Sequence, residues 1–416
     1  MATTLFLLGL MSCFGTFAAL CYVRPLGLWT IVHFLSSWLQ AELAPWHLIW
    51  QSVAALLLIS GGALDSSLGQ WGLALLLVSC AGLVIVIRQS LQSVQVYRTA
   101  LSAALGENYQ EAIPAERRKQ IPEAIDSSAW LKPFSFPRAC VKVTSDLAYA
   151  DGGKRNLLDI YSPETPREGG APVLIQVHGG GWTIGHKAEQ AKPLMYHLAS
   201  KGWVCVSVNY RLCPTVNFPE HIIDVKKAIA WVKDNVAGYG GNPDFIAITG
   251  GSAGGHLSSL AALTPNHAAF QPGFEEADTR VHACVPFYGV YDWIGGVTPA
   301  DAEIRKFLVE RVLPSGTEEE TEQRLREASP LHHVHTEAPP TLIIHGANDM
   351  LAMVEGARTM NRALSAVSKS PVAYAELPGT QHAFEVFHSI RADITVLAVH
   401  EFLEWAHAQS SAGESA

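Results

Sequence analysis

The sequence predicts an α/β fold with a mostly parallel eight-stranded sheet and helices on both faces, preceded by an N-terminal helical membrane region. Two observations support this prediction. Strand-like apolar segments alternate with helical patterns from about residue 140 onwards. Residues 1–87, by contrast, contain only three charged side chains, Arg24, Glu42 and Asp65. The chain therefore divides into an apolar N-terminal part and a larger α/β part.

The strand-like segments are short and rich in apolar and β-branched residues. They lie near residues 140–148, 155–161, 172–177, 203–209, 245–249, 281–287, 341–345 and 372–377. From the third onward, helical patterns such as residues 219–232 separate most of them, and residues 389–408 show the same spacing. This alternation indicates a sheet covered on both faces. The first two segments are joined around Asp151-Gly152-Gly153, and we expect them to form an antiparallel hairpin at the edge.

The most informative segment runs from Phe245 to His256. An apolar run ends in Gly-x-Ser-x-Gly at residues 250–254, and helix-compatible sequence follows. This arrangement is typical of a nucleophile elbow, a tight strand-to-helix turn that presents a serine hydroxyl. Glycine is expected at 250 and 254 because a Cβ there would strike the neighbouring strand or helix. Ser252 is therefore the candidate nucleophile.

A glycine-rich loop lies upstream of the elbow. The strand-like run 171–177 leads into His-Gly-Gly-Gly-Trp at residues 178–182. Consecutive glycines let backbone N–H groups approach a substrate and stabilise the oxyanion that forms when a carbonyl is attacked. The N–H of Ala253 is expected to supply a further donor. The alternative is that residues 179–181 form only a flexible turn.

The acid and the base are expected after the nucleophile, in that order. Asp349 follows the strand-like run 340–344, and His382 follows the run 372–377. His382 would take the proton of Ser252, and Asp349 would orient the imidazole. Other histidines compete for the role of base. His345 is interpreted as structural, and the group His332, His333 and His335 as surface residues, while His388 is a further competitor.

Several motifs together resemble one known family. They are HGGGW at 178–182, Tyr210-Arg211-Leu212 with Pro214, Phe218-Pro219 and Asp224, GGSAGG at 250–255, HGANDM at 345–350 and QHAF at 381–384. They resemble the hormone-sensitive-lipase-like branch of α/β-hydrolase esterases, which includes arylacetamide deacetylase and mycobacterial Lip-type carboxylesterases. The resemblance covers roughly residues 140–408. It implies an α/β-hydrolase fold and an oxyanion hole formed by Gly179, Gly180 and Ala253. One departure is Gly251, where the family usually has Asp.

The N-terminal part contains three apolar stretches, residues 5–23, 47–64 and 71–87. Each is about 17–19 residues long, close to the length of helix that spans the hydrocarbon core of a bilayer. Residues 26–40 include more polar side chains and are predicted to be interfacial or a poor span. A cleaved signal peptide is the alternative for 5–23, although no basic residue precedes its apolar core. A soluble buried hairpin is the alternative for 47–64 and 71–87.

The few charges near these stretches suggest an orientation. With three spans, Arg24, Arg88 and Arg98 fall on one side and Asp65 on the other. The positive-inside rule then predicts a multi-pass membrane protein with its catalytic domain in the cytoplasm.

The predicted domain boundaries follow from these patterns. Residues 1–89 form the transmembrane helical region and residues 139–408 the α/β-hydrolase domain. Residues 90–138 are interpreted as a linker or as cap helices, and residues 409–416 as a disordered tail. A second cap candidate runs from Trp293 to about Val334; it contains an acidic helix start at 316–320.

Composition narrows the possible partners. The net charge is −9 and no basic stripe with interleaved aromatic residues occurs, which argues against nucleic acid. The seven cysteines show no metal spacing or disulfide framework, and no dinucleotide or phosphate-loop motif is present. We therefore expect no cofactor and no metal. The expected partners are a small-molecule or lipid ester and a membrane, and the sequence does not predict the oligomeric state.

These observations favour a membrane-anchored serine hydrolase that cleaves carboxylic esters, a carboxylesterase or lipase. The alternative is a methylesterase or an amidase or deacetylase on the same fold, since the triad chemistry is shared. A third interpretation is a non-catalytic binding protein, which some relatives lacking the histidine represent; the presence of His382 argues against it.

Overall fold

A computed structural model describes residues 1–413 except 25–26, 124, 137–139, 166, 168 and 296–298. Within these residues eight strands form one sheet. The strands are β1 (Val141–Ala148), β2 (Leu157–Pro163), β3 (Ala171–Val177), β4 (Val204–Val208), β5 (Gly241–Gly251), β6 (Ala283–Phe287), β7 (Thr341–Gly346) and β8 (Val372–Leu377).

The sheet has the order β1-β2-β4-β3-β5-β6-β7-β8. Every neighbouring pair from β4 to β8 is parallel. Strand β1 pairs antiparallel with β2, and β2 pairs antiparallel with β4. The predicted α/β-hydrolase fold and its antiparallel edge are thus confirmed, and the complete sheet is mixed.

Helices cover both faces of the sheet, and further helices at the N-terminus extend away from it. They are α1 (Ala2–Leu20), α2 (Leu28–Glu42), α3 (Ala44–Ser60), α4 (Ser67–Leu105), α5 (Ala115–Arg118), α6 (Lys192–Ser200), α7 (Glu220–Asn235), α8 (Ala253–Leu263), α9 (Pro299–Phe307), α10 (Glu318–Ala328), α11 (Val354–Val367) and α12 (Ile390–Gly413). Side chains alternate across each strand. On β3, Val173 and Ile175 pack with α7 and α8, whereas Leu174 packs with α6 and α12 on the opposite face.

Helix α4 connects the two parts of the molecule without a break. Its 39 residues extend over about 58 Å at 1.5 Å per residue. Its first half packs against α1, where a Cβ on Gly72 would lie 2.6 Å from the backbone of Leu5. Its second half packs on the hydrolase domain, where Tyr97 Oη and Thr395 Oγ1 are 2.8 Å apart. Helix α4 therefore continues beyond residue 89 into residues 90–138, the segment interpreted as a linker or as cap helices.

Helices α1, α3 and the first half of α4 form an apolar bundle. By length and composition, α1 and α4 could each cross a membrane. Helices α2 and α3 pass the same test only as a pair, and they are bent by 85° with respect to each other. Met1 lies beside Gly61 at the end of the bundle far from the hydrolase domain. Ala19, Ala44 and Val86 pack together at the near end.

The C-terminal boundary also differs from the prediction. A disordered tail was expected from residue 409, but α12 continues to Gly413. Residues 414–416 lie outside the described residues.

Helix α2 is fixed to the hydrolase domain by a buried ion pair. Arg391 Nη1 donates to Glu42 Oε1 at 2.9 Å, and Ser389 Oγ donates to Glu42 Oε2 at 2.7 Å. Arg391 Nη2 also donates to the carbonyl oxygens of Pro378 and Gly379. Both charged side chains are almost fully buried. A buried charge without its partner is strongly unfavourable, so this pair constrains where the end of α2 can lie.

We expect Glu42→Ala to lower the free energy of unfolding by about 3–5 kcal/mol, because it leaves Arg391 buried and unpaired. Denaturant unfolding of the detergent-solubilised full chain measures the change. The double variant Glu42→Leu, Arg391→Met is the control and should regain most of the loss, because it removes both charges. Equal stability of Glu42→Ala and the wild type would contradict this role.

Candidate active site

Ser252 lies on the turn between β5 and α8. Its backbone has φ 59° and ψ −120°, a region that residues with a side chain rarely adopt. Crowding around the turn explains its glycines. A Cβ on Gly250 would lie 2.5 Å from the carbonyl oxygen of Val177, and one on Gly254 would lie 2.0 Å from the same atom. The turn therefore has the steric character of a nucleophile elbow.

Asp349 and His382 meet beyond the carboxyl ends of β7 and β8. His382 Nδ1 donates to Asp349 Oδ2 at 2.6 Å. The other carboxylate oxygen, Oδ1, accepts from the N–H groups of Leu351 and Ala352 at 2.9 and 2.8 Å. Burial alone would raise the pKa of Asp349, but His382 and the backbone donors outweigh it, so the pKa lies below its usual value. The carboxylate is thus held ionised and oriented toward the imidazole.

The elbow and the Asp349–His382 pair border the same aromatic ring. The ring centroids of Tyr288 and His382 are 4.3 Å apart, and a Cβ on Gly251 would lie 2.6 Å from Tyr288 Oη. The three predicted catalytic residues therefore belong to one site. Among the described residues, the Ser252 hydroxyl makes no hydrogen bond. Contacts between a nucleophile and its base often tighten only when substrate is bound.

The glycine loop approaches the elbow closely. A Cβ on Gly179 would lie 2.6 Å from the carbonyl oxygen of Gly251 and 3.1 Å from Ser252 Cβ. The N–H of Gly179, however, donates to Gln190 Oε1 at 2.6 Å. Within the described residues, the N–H groups of Gly180 and Ala253 have no such acceptor. Ala253 is the first residue of α8, and the N–H of a first helical residue has no partner within the helix. The sequence did not anticipate the role of Gln190.

Two other histidines are buried in structural positions. His345 Nε2 contacts the carbonyl oxygen of Ala352 at 2.8 Å and so supports the loop that carries Asp349. His178 stacks on Tyr210 with ring centroids 4.3 Å apart. Burial lowers the pKa of His178 to about 4, so it is neutral at pH 7. The competing His388 lies apart and bonds to Asp393 at 2.7 Å.

Helix α2 covers His382. The Phe34 ring packs edge-on against His382 with centroids 6.4 Å apart. Trp38 Nε1 donates to the carbonyl oxygen of Ala383 at 3.0 Å, and the Trp38 ring packs on Phe387. The sequence predicted this segment to be interfacial and did not place it over the site. On the other side, a Cβ on Gly181 would be 3.6 Å from Phe307 of α9, within the second cap candidate.

Comparison with known proteins identifies the family of the chain. A family model described as BD-FAE matches residues 158–364. The chain is 53% identical over 269 residues to the probable carboxylic ester hydrolase LipM of Mycobacterium tuberculosis, an alignment that covers 64% of this chain and 62% of LipM. It is 42% identical over 315 residues to the esterase LipQ of the same organism, and that alignment covers 74% of each chain.

The chain belongs to the mycobacterial Lip-type carboxylic ester hydrolases. Its fold also matches the esterase Est2 of Thermogutta terrifontis, solved with butyrate bound. The TM-score is 0.52 with 26% identity, and the match covers 63% of this chain and 92% of the other. The alignment covers less than two thirds of the length of LipM.

The exceptional Gly251 of this Lip-type chain has a structural explanation. Tyr288 occupies the space that a side chain at 251 would need, and its hydroxyl donates to the buried carboxyl of Glu385. Burial raises the pKa of Glu385, which the Tyr288 hydrogen bond and His382 oppose only in part. This pair was not found from the sequence. The only local signals are the missing Asp at 251 and an acidic residue three positions after His382.

We expect Gly251→Ala to lower stability by about 1–3 kcal/mol, the usual cost of overpacking, and to reduce kcat because Tyr288 must move against His382. Thermal unfolding and ester hydrolysis measure the two effects. Gly356→Ala on α11 is the control, because a Cβ there meets nothing within 4 Å and should be tolerated. A Gly251→Ala variant with wild-type stability and kcat would rule out this steric role.

Proposed function

We propose that the chain is a membrane-anchored serine hydrolase that cleaves carboxylic esters through an acyl-enzyme. The observation that carries the proposal is the 2.6 Å hydrogen bond between His382 and Asp349 next to a serine on a strained elbow. Membership of the Lip-type family supports the same reaction.

The reaction would begin with attack of Ser252 Oγ on the ester carbonyl carbon. His382 Nε2 would accept the hydroxyl proton, and Asp349 would stabilise the imidazolium that forms. The tetrahedral intermediate collapses when its bond to the alkoxy oxygen breaks. His382 then returns the proton to the departing alcohol, leaving an acyl group on Ser252. Water, activated by His382, attacks this acyl-enzyme and releases the carboxylic acid.

The oxyanion would be stabilised mainly by the N–H groups of Gly180 and Ala253. Fixed backbone donors of this kind contribute roughly 3–4 kcal/mol each to transition-state stabilisation. The N–H of Gly179, which the sequence also proposed, is held by Gln190. It can serve as a third donor only if the substrate oxygen displaces the Gln190 side chain.

Membrane anchoring is supported by the exterior of the helical bundle. Large apolar side chains point outward from all three helices, among them Met11 and Phe14 on α1, Leu56 and Leu57 on α3, and Val78 on α4. Exposed apolar surface of this extent requires an apolar partner. Arg24 lies at the hydrolase end of the bundle and Asp65 at the opposite end, as the proposed multi-pass topology requires. By the positive-inside rule we propose that the catalytic domain lies in the cytoplasm.

The test is hydrolysis of a water-soluble p-nitrophenyl ester by the full chain. We expect Ser252→Ala and Asp349→Asn to lower kcat by about 10⁴-fold or more, because one loses the nucleophile and the other the correct histidine tautomer. Ser200→Ala, at an exposed serine on α6, is the matched control and should match the wild type. Retention of full activity in Ser252→Ala would refute the proposed mechanism.

A further inference from the structure

Helix α2 has a buried face of mixed polarity and, opposite to it, an exposed face that is apolar. Its inward face includes the buried Thr30, Phe34, Ser37 and Ala41. Its outward face carries exposed large apolar side chains, Leu28, Trp29, Ile31, Val32, Leu35 and Leu39. The only charged residue of the described helix Leu28–Glu42 is Glu42, and it is buried against Arg391. A soluble cap helix would be expected to present polar side chains outward.

The helix lies at one end of the apolar bundle. Ala41 near its C-terminal end packs with Ala44 of α3, Ala19 of α1, and Leu83 and Val86 of α4. Arg88, the first charged residue of α4, follows these contacts by about half a turn. Since α2 is bent by 85° from α3, it lies across the bundle axis at this level. For a bundle that spans a bilayer, this is the boundary between acyl chains and headgroups.

Both ends of α2 are attached to the hydrolase domain. Before the helix, Arg24 forms a 2.9 Å ion pair with Glu303 and donates to the carbonyl oxygen of Met350 at 3.0 Å. At its C-terminal end, Glu42 binds Arg391. A helix that is held at both ends can act as a fixed cover over His382. A substrate would then enter beside the helix.

The rim of the glycine loop is apolar as well. Ile184, whose backbone contacts the Gly180 position, is 68% exposed, and Phe307 beside Gly181 is 38% exposed. An ester that reaches Ser252 therefore passes apolar side chains on α2, on α9 and on the glycine loop. This route suits an apolar acyl chain more than a polar, hydrated group.

From these observations we propose that the outward face of α2 lies in the bilayer interface and that the site takes lipid esters directly from the bilayer, alongside α2. The proposal rests on the proposed esterase function and names its substrate class, an ester with a long acyl chain dissolved in the membrane. The occupant of the α2 face is lipid because that face is continuous with the apolar exterior of the bundle. Phe34 and Trp38 would then separate the bilayer from His382.

The test uses the full chain reconstituted in phosphatidylcholine vesicles. Hydrolysis of a long-chain p-nitrophenyl ester dissolved in the bilayer is compared with hydrolysis of water-soluble p-nitrophenyl acetate in the same vesicles. We expect Leu35→Glu to reduce hydrolysis of the bilayer ester by about tenfold or more, since a charge on a lipid-facing surface is unfavourable. Hydrolysis of the soluble ester should change less than twofold.

Val367→Glu is the matched control, because Val367 on α11 is 43% exposed and Leu35 is 44% exposed. It should leave the hydrolysis of both esters unchanged. Leu35→Ser is a second variant that removes apolar contact without adding charge, and we expect a smaller loss that is confined to the bilayer ester.

The outcomes separate the two proposals. If Leu35→Glu hydrolyses the bilayer ester like the wild type, or loses both activities equally, entry from the bilayer is wrong while the esterase function stands. If the wild type hydrolyses only the soluble ester, the substrate class is wrong. If Ser252→Ala retains hydrolysis of the soluble ester, the esterase function itself fails.

Discussion

The close approach of the end of β3 to the turn between β5 and α8 determines the geometry of this site. The carbonyl oxygen of Val177, at the end of β3, lies where a side chain at residue 250 or 254 would project. Only glycine at both positions allows the elbow to turn there, and the turn gives Ser252 its positive φ. The same contact places the glycine loop that follows Val177 next to the nucleophile. The relative positions of Ser252 and the glycine loop therefore follow from one steric constraint.

The second constraint links the catalytic loop to the N-terminal region. Arg391 binds Glu42 of α2 and the carbonyl groups just before the loop that carries His382. Phe34 and Trp38 of the same helix pack on that loop. Helix α4 passes the loop as well, since a Cβ on Gly379 would meet Gln89. His382 is therefore positioned both by the hydrolase domain and by helices that extend from the apolar N-terminal bundle.

Local sequence predicted the strands well and indicated three residues, Ser252, Asp349 and His382, that the fold brings to neighbouring loops. The strand-like runs are short, apolar and rich in β-branched residues, and each observed strand begins and ends within a few residues of its predicted bounds. The order of Ser252, Asp349 and His382 follows from the strand order of the fold. The glycines at 250 and 254 could be inferred because the Gly-x-Ser-x-Gly pattern is local, although the atom that excludes a side chain there, the carbonyl oxygen of Val177, belongs to another strand.

Other features depend on contacts that local sequence does not contain. Glu42 finds its partner 349 residues away, so nothing near residues 26–40 revealed that this segment covers His382. The boundary of the transmembrane region was predicted at residue 89 because charged residues appear there. A helix can nevertheless continue through charged residues when it packs against another element, as α4 does against α12. Gln190 and the Tyr288–Glu385 pair were missed because each acts on residues distant in sequence.

The central claim is that Ser252 is the nucleophile of a membrane-bound esterase. Peptide mass spectrometry after treatment of the full chain with a fluorophosphonate tests it most directly, because the reagent bonds covalently only to an activated hydroxyl. We expect stoichiometric modification of the peptide containing Ser252 and loss of ester hydrolysis in parallel. Modification of a different serine, or inactivation without any adduct on Ser252, would contradict it.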